Sequence, residues 1–517
     1  MDKQTFFAEP WADIAAGDRE KWMKQAAEEL RLADKTAVLP ELQRLAAEPP
    51  SLPPVGYPGQ GDLRRGVSAA GFWAKPWRIA WGTPEVLPHL ANAALKESLA
   101  LGANAVSLDG SAGLYTETVE DMMQLMDGID LTALPLHVYT GATAIPFLSL
   151  LKLQSLQSGS NGKAYWGCVG SDPLGEYAKK GNAAAGLDCY LDQWAATMRW
   201  QVMSMPKVRC ILLRGSVYHN GGASAAGELA CLAAASMEYI DGLLERDMDM
   251  DDIARQFRWE VTVSGDFAED VAKLRAARML WAKLIRAYGG SVQAQALDLA
   301  TVESSFYTLP QEPAQAQTLR MLRAAASIAG GADLHLLQAA EGDMASLLAC
   351  RPLWQSMAEH MPPDPWGGAN YLEYLTREIA EEAWRYWQKL DQAGGMQEAL
   401  FDGMVQDDIE KTFRQKAEAK GVAAAAGSHN PQLLPGRQFS VNQEVRLART
   451  KALAEHNKNV DARMVAQDLA KVDGCVCTAM AAFTVGATTG QVLKALNKGA
   501  SFPSQGITDH RGQLPLY

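Results

Sequence analysis

Cysteine is scarce in this chain and forms no framework. There are 7 in 517 residues, an odd and scattered set. Cys475-Val476-Cys477 is too tight for an ordinary disulfide or a zinc knuckle, and no second pair lies near it. The thiols therefore read as reduced, mostly core residues of a cytoplasmic protein. No hydrophobic run is long enough to span a bilayer. The opening Met1-Asp2-Lys3-Gln4-Thr5-Phe6-Phe7 is acidic and aromatic rather than leader-like. Positive charge is in deficit, with a formal net charge of -12, which excludes a protein that binds nucleic acid through its phosphates. Metal-ligand spacings, a P-loop and a nucleophile elbow are all missing, and there are only 8 histidines.

What is present is enough apolar residue, 48% of the chain, for a large core and more than one domain. A helix is expected at about Asp18 to Leu32. A tract with Pro49-Pro50, Pro53-Pro54 and Pro58 follows, which cannot build a core of its own. From Trp77 short apolar strands alternate with helices. The pattern predicts strands at Arg78–Trp81, Ala105–Leu108, Leu136–Tyr139, Ala164–Val169, Arg209–Leu213, Trp259–Val263, Val292–Leu297 and Leu334–Gln338. Helices fit between them, for example Glu85–Leu101, Leu187–Met203, Ser224–Glu245, Phe267–Tyr288 and Ala314–Ala329.

Eight strand-helix units imply parallel pairing and an α/β fold, a (β/α)8 TIM-type barrel, with an open doubly wound sheet as the alternative. Three regions follow: an N-terminal helix and proline-rich arm over 1–74, the barrel over 75–395, and a helical extension with an irregular tail over 396–517. In the last, Ala423–Gly427 reads as a hinge, and helices are expected at Val445–His456, Ala462–Leu469 and Gly490–Leu496. Nothing after Gly436 alternates as a further doubly wound domain would.

In such a barrel chemistry sits in the loops after the strands. The loop after the fifth strand reads Gly215-Ser216-Val217-Tyr218-His219-Asn220-Gly221-Gly222-Ala223. His219 is placed either to donate a hydrogen bond to a ligand carbonyl or to cap the next helix. Asp109, Asp172, Asp266, Asp298 and Glu303 are rim candidates better suited to capping helices. Gly170-Ser171-Asp172-Pro173-Leu174-Gly175 is a turn with a helix-start signal. Arg64-Arg65 is a local basic spot able to meet the phosphates of a nucleotide-like cofactor. The 20 methionines, including Met122-Met123, Met126, Met203 and Met205, read as adaptable core filler.

Asp364-Pro365-Trp366-Gly367-Gly368 opens a helix whose Leu372, Leu375, Ile379 and Trp384 share one face, opposite Glu373, Arg377 and Glu381. This string resembles the last barrel helix of methylmalonyl-CoA mutases. Four further segments are similar to that family: Lys75-Pro76-Trp77-Arg78-Ile79; Val119 to Ile129; Tyr218-His219 with Gly222-Ala223 and Glu228-Leu229-Ala230; and Val271 to Trp281. Gly486-Ala487-Thr488-Thr489-Gly490 resembles the segment that ends the family's barrel module.

The resemblance implies an assembly that uses adenosylcobalamin to interconvert succinyl-CoA and methylmalonyl-CoA, with the acyl-CoA threaded through a barrel lined by small polar side chains. It also implies substrate contacts at Tyr218, His219, Asn220, Arg64 and Arg65. The departures point elsewhere. Ala80, Trp81 and Gly82 stand where catalytic members carry Arg-Gln-Tyr, and Asn220-Gly221 stands for Met-Gln. Ala300-Thr301-Val302-Glu303-Ser304-Ser305 replaces Thr-His-x-Gln-Thr-Ser, and Glu303 would repel a dicarboxyl substrate. The family's cobalt-ligating Asp-x-His-x-x-Gly is not found.

The turn around Gly170–Gly175 resembles the small subunits of heterodimeric mutases. The expectation is therefore a small, non-catalytic subunit that binds no cofactor, with His219 vestigial and adenosylcobalamin on a large partner subunit. No nucleic acid or membrane partner is expected. A catalytic barrel with its cobalamin domain on a separate chain is the alternative, and a scaffold protein for an acyl-CoA enzyme is a third reading.

Overall fold

The computed structural model describes residues 78–81, 87–109, 116–308, 312–337, 351–360, 364, 366–367, 369–419, 443–497, 502–503, 506–510 and 514–515. The expected N-terminal helix, the proline-rich arm, Arg64, Arg65 and the Ala423–Gly427 hinge lie outside them.

Eight parallel strands form a single sheet: β1 Arg78–Trp81, β2 Val106–Asp109, β3 Leu136–Tyr139, β4 Trp166–Ser171, β5 Lys207–Arg214, β6 Phe257–Val263, β7 Asp298–Glu303 and β8 Leu334–Leu337. Their spatial order is β1-β8-β7-β6-β5-β4-β3-β2, and all pairs are parallel. The ends of that order meet through Asn104. Its backbone N–H donates to Ile79 O at 3.0 Å, and its Oδ1 accepts from Ile79 N at 2.7 Å. A side-chain amide thus stands in for the missing ladder, leaving a nearly closed (β/α)8 barrel.

Each strand sorts its residues by alternation. In β6, Trp259, Val261 and Val263 join the large core between strands and helices, whereas Arg258 and Glu260 bond to groups on other barrel strands. Helix Ala225–Leu244 needs little surface polarity because it is pressed between the barrel and helix Asn370–Gln392. Its start is set by Ser224, whose side chain accepts from Gly227 N, and helix Phe267–Ala287 is started the same way by Asp266.

One strand departs from the sequence reading. Residues 292–297 form turns, with Gln295 N donating to Ser291 O and Ala296 N to Gln293 O, and β7 begins only at Asp298. The apolar run was a poor guide because the true strand opens with a carboxylate that is held by arginines. Asp298 is therefore at the strand's N-terminal end, not on the C-terminal rim. Glu303 is buried at the C-terminal end of β7, in register with Val263 on β6.

After Gly395 the chain forms helices Met396–Phe401 and Met404–Ala419, which the sequence reading did not specify. Helices Gln443–Asn459, Ala462–Leu469, Val476–Thr484 and Thr489–Leu496 follow. Val476–Thr484 packs on the barrel helix Ile145–Gln157, burying Ala479, Ala482 and Phe483 in a shared core. No helix among the described residues is long and apolar enough to cross a membrane.

Candidate functional site

The lumen is crossed by charged side chains that bond from strand to strand. Arg258 on β6 forms a two-point ion pair with Asp298 on β7, at 2.8 and 3.1 Å, and Arg209 on β5 joins the same carboxylate at 2.9 Å. Arg258 Nη1 also reaches β3, donating to His137 Nδ1 at 3.3 Å. The other ring nitrogen of His137 lies 2.9 Å from Glu260 Oε2 on β6. Glu260 Oε1 accepts from Arg214 Nε at 3.0 Å, and Arg214 Nη1 continues to Asp109 on β2 at 2.7 Å. The Arg214 guanidinium lies over Tyr139, whose hydroxyl donates to Glu176 at 2.9 Å.

The chain of bonds runs through β2, β3, β5, β6 and β7, so it spans the lumen rather than lining it. His137, Arg258 and Glu260 are buried. Burial, with the Arg258 and Arg214 charges, pushes the His137 pKa down despite Glu260. His137 is then a neutral ring that accepts at Nδ1 and donates at Nε2. Burial alone would raise the Glu260 carboxyl, but Arg214 and the His137 hydrogen bond hold it below its ordinary value. Beside this layer, on the side of β1, β7 and β8, Ala80, Ala300, Val302, Leu334 and Leu336 form a separate apolar cluster.

Tyr218, His219 and Asn220 sit in a short helix, Ser216–Asn220, directly after β5. His219 is buried, and its Nε2 is 2.8 Å from Ser304 Oγ. Its Nδ1 stands 3.7 Å from Glu228 Oε2, too far for a hydrogen bond. Glu228 is instead committed to Thr262 N at 2.7 Å and to Lys273 Nζ at 3.1 Å. Burial foremost, then the Lys273, Lys416 and Arg323 charges, pushes the His219 pKa well down.

Serine, imidazole and carboxylate thus share a neighbourhood without the bonds that activate a nucleophile. Phe306 and Tyr307 pack edge-on to the ring. The Tyr218 hydroxyl is buried without a hydrogen-bond partner. Asn220 offers its carbonyl to His510 N at 2.8 Å.

Of the rim carboxylates, Asp172 caps helix Pro173–Lys180 through Gly175 N, and Asp266 caps as described. Burial lifts the Asp172 pKa to about 6, against hydrogen bonds from Tyr239 and Gly175. Asp109 is an ion-pair partner rather than a cap. The luminal residues His137, Arg214, Arg258 and Glu260 were not singled out from sequence. The available signal was Arg258 and Glu260 at alternate positions of Phe257-Arg258-Trp259-Glu260-Val261, which places two charges on the inner face of a strand.

The N-terminal mouth of the barrel holds a cavity of about 1090 Å³ whose walls carry both charges, with Arg78, Lys207, Arg209 and Arg258 beside Asp249, Asp298 and Asp333. Arg78 lies 4.3 Å from the Trp166 ring centre. No group of three or more metal-binding side chains occurs among the described residues. His219, the imidazole at the C-terminal mouth, is bonded to Ser304 and covered by aromatic rings, so it does not fit as an axial ligand for a corrin.

Comparison with known proteins decides the family. The methylmalonyl-CoA mutase family profile matches residues 106–501. The chain belongs to the methylmalonyl-CoA mutase family. It is 25% identical over 410 residues to the methylmalonyl-CoA mutase of Cereibacter sphaeroides, covering 73% of this chain and 58% of the relative. It is 26% identical over 409 residues to the probable methylmalonyl-CoA mutase large subunit of Mycobacterium tuberculosis, covering 73% and 54%.

It is 28% identical over 380 residues to the methylmalonyl-CoA mutase small subunit of Streptomyces virginiae, covering 70% and 59%. The chain therefore spans somewhat more than half the length of these relatives. Both large and small mutase subunits are among its homologues.

Proposed function

We propose that this chain is the small, non-catalytic subunit of a heteromeric, adenosylcobalamin-dependent methylmalonyl-CoA mutase, with the coenzyme held by its large partner. The observation that carries the proposal is the ion-pair chain Asp298–Arg258–His137–Glu260–Arg214–Asp109 across the lumen. A thioester threaded along the axis would have to displace it. Opening it would leave several buried charges without partners, at a cost of about 3–5 kcal/mol for each broken pair. A mutase also needs a dry pocket that receives the acyl group and contains a radical. Here paired side chains cross the lumen where the acyl-CoA would pass.

In this reading the barrel serves as a rigid partner that stabilises the large subunit, and its cytoplasmic location follows that of the assembly. The rival reading is a barrel that still meets an acyl-CoA through the cavity at its N-terminal mouth and works with a cobalamin domain on another chain. The two part in one experiment. The chain is purified alone and with a mutase large subunit, and each is assayed with adenosylcobalamin and methylmalonyl-CoA. Turnover is expected only when the large subunit is present and co-purifies. Turnover by this chain without it would end the proposal.

A further inference from the structure

We infer that the C-terminal tail is a strap that seals the C-terminal mouth of this barrel over the His219 loop. The inference goes beyond the reading above and rests on different contacts. The described residues of the tail touch the loops after three different strands. Phe502–Pro503 pairs antiparallel with Asn182–Ala183, beyond the helix that follows β4. Ile507 N donates to Ala178 O at 2.7 Å, and His510 N to Asn220 O at 2.8 Å, in the loop after β5. Leu514–Pro515 runs parallel to Tyr307–Thr308, just past β7.

Side chains lock the same path. The His510 ring stacks on Phe413 of helix Met404–Ala419, with centres 3.5 Å apart and planes within 4°. Its Nε2 lies 2.8 Å from Glu410 of the same helix. Phe413 in turn packs edge-on to Phe306, which covers His219.

Close approach shows how tightly the strap lies. A Cβ placed on Gly221 would come within 2.4 Å of Ile507 Cγ2. A Cβ on Gly506 would come within 3.0 Å of Lys179 O and 3.2 Å of Gly181 N, both of them backbone. Gly221 therefore needs glycine for space, and a side chain at Gly506 would press on backbone that has to give way. At the mouth where a barrel of this kind normally receives its ligand, the described tail residues lie across the segments that follow β4, β5 and β7. Local opening of such a strap should cost far less than global unfolding, because it breaks only the few contacts named above.

Modification of His219 by diethyl pyrocarbonate, mapped by mass spectrometry on the full chain, tests the seal. In the wild type His219 should react at least about tenfold more slowly than the exposed His89, as expected for a site reached only through local opening. Deleting residues 502–517 should bring its rate close to that of His89. Gly506→Val should lift the strap without shortening the chain, and it carries the test if the deletion fails to fold. Two results would overturn the inference. One is His219 reacting as fast as His89 in the wild type. The other is His219 staying equally protected when a folded strap variant is probed. The labelling needs no large subunit, so its outcome is independent of the subunit assignment.

Discussion

Arg275 Nη2 donates to Glu373 Oε1 at 2.7 Å, joining helices Phe267–Ala287 and Asn370–Gln392 through a buried ion pair. The same guanidinium donates to Thr376 Oγ1 at 2.8 Å, and its Nε lies 3.3 Å from Asp364 Oδ1 in the turn that opens the second helix. Two segments that resemble the mutase family separately are thus one structural device. The relationship also corrects the sequence reading of Glu373, which was placed on the exposed face. It is buried because Arg275 on the facing helix neutralises it.

Replacing Arg275 should be costly. Arg275→Ala removes this guanidinium from beside the buried Glu373 and the largely buried Asp364, and a loss of about 3–5 kcal/mol is expected. Arg275→Lys should recover only part of it, because one ammonium cannot serve carboxylates on two sides. Urea unfolding of the two variants measures this. A loss under about 1 kcal/mol in Arg275→Ala would place the pair among weak surface contacts instead.

The luminal charge chain predicts an asymmetric response. Glu260→Ala should destabilise strongly, by about 3–5 kcal/mol, since Arg214 and His137 lose a shared acceptor. The triple change Arg258→Met, Arg209→Met and Asp298→Leu removes that carboxylate with both of its cations and should cost less than Glu260→Ala alone. If the triple change were the worse of the two, desolvation would not be the governing cost.

Acid should weaken the fold through buried neutral imidazoles. Burial lowers the His335 pKa from 6.5 to about 3. Between those values the unfolded chain takes up a proton that the folded chain refuses, so stability falls as pH drops below 6.5, by about 1.4 kcal/mol per pH unit for this group. Asp172 and Asp270 act in the opposite sense. Their folded pKa values are raised to about 6, and protonating them favours the folded state as pH falls through that value. The clean readout is therefore a difference. The unfolding free energy of the wild type minus that of His335→Asn should decrease as pH is lowered from 6.5 to 5. A flat difference would mean that His335 titrates normally.

His219 should be dispensable for turnover if the lumen is closed. In an assembly containing an active large subunit, His219→Ala in this chain should leave kcat within about twofold, since the ring is bonded to Ser304 and packed against Phe306 and Tyr307. A fall of a hundredfold, with the assembly intact by size-exclusion chromatography, would restore the catalytic reading of this barrel.

The alternation of apolar strands and amphipathic helices was legible in the linear order, since period-2 and period-3.6 patterns are local and need no knowledge of the fold. That alternation determined the barrel, and seven of its eight strands fall near the segments read from sequence. The ordered motif strings determined the family. What the tertiary structure alone decided is which inward residues meet. His137 and Glu260 are 123 residues apart, and only closure of the sheet brings them within 2.9 Å. Asp298 looked like a rim acid and Glu373 like a solvated one. A carboxylate's placement depends on whether a guanidinium from elsewhere in the chain arrives to neutralise it. No local pattern carries that information.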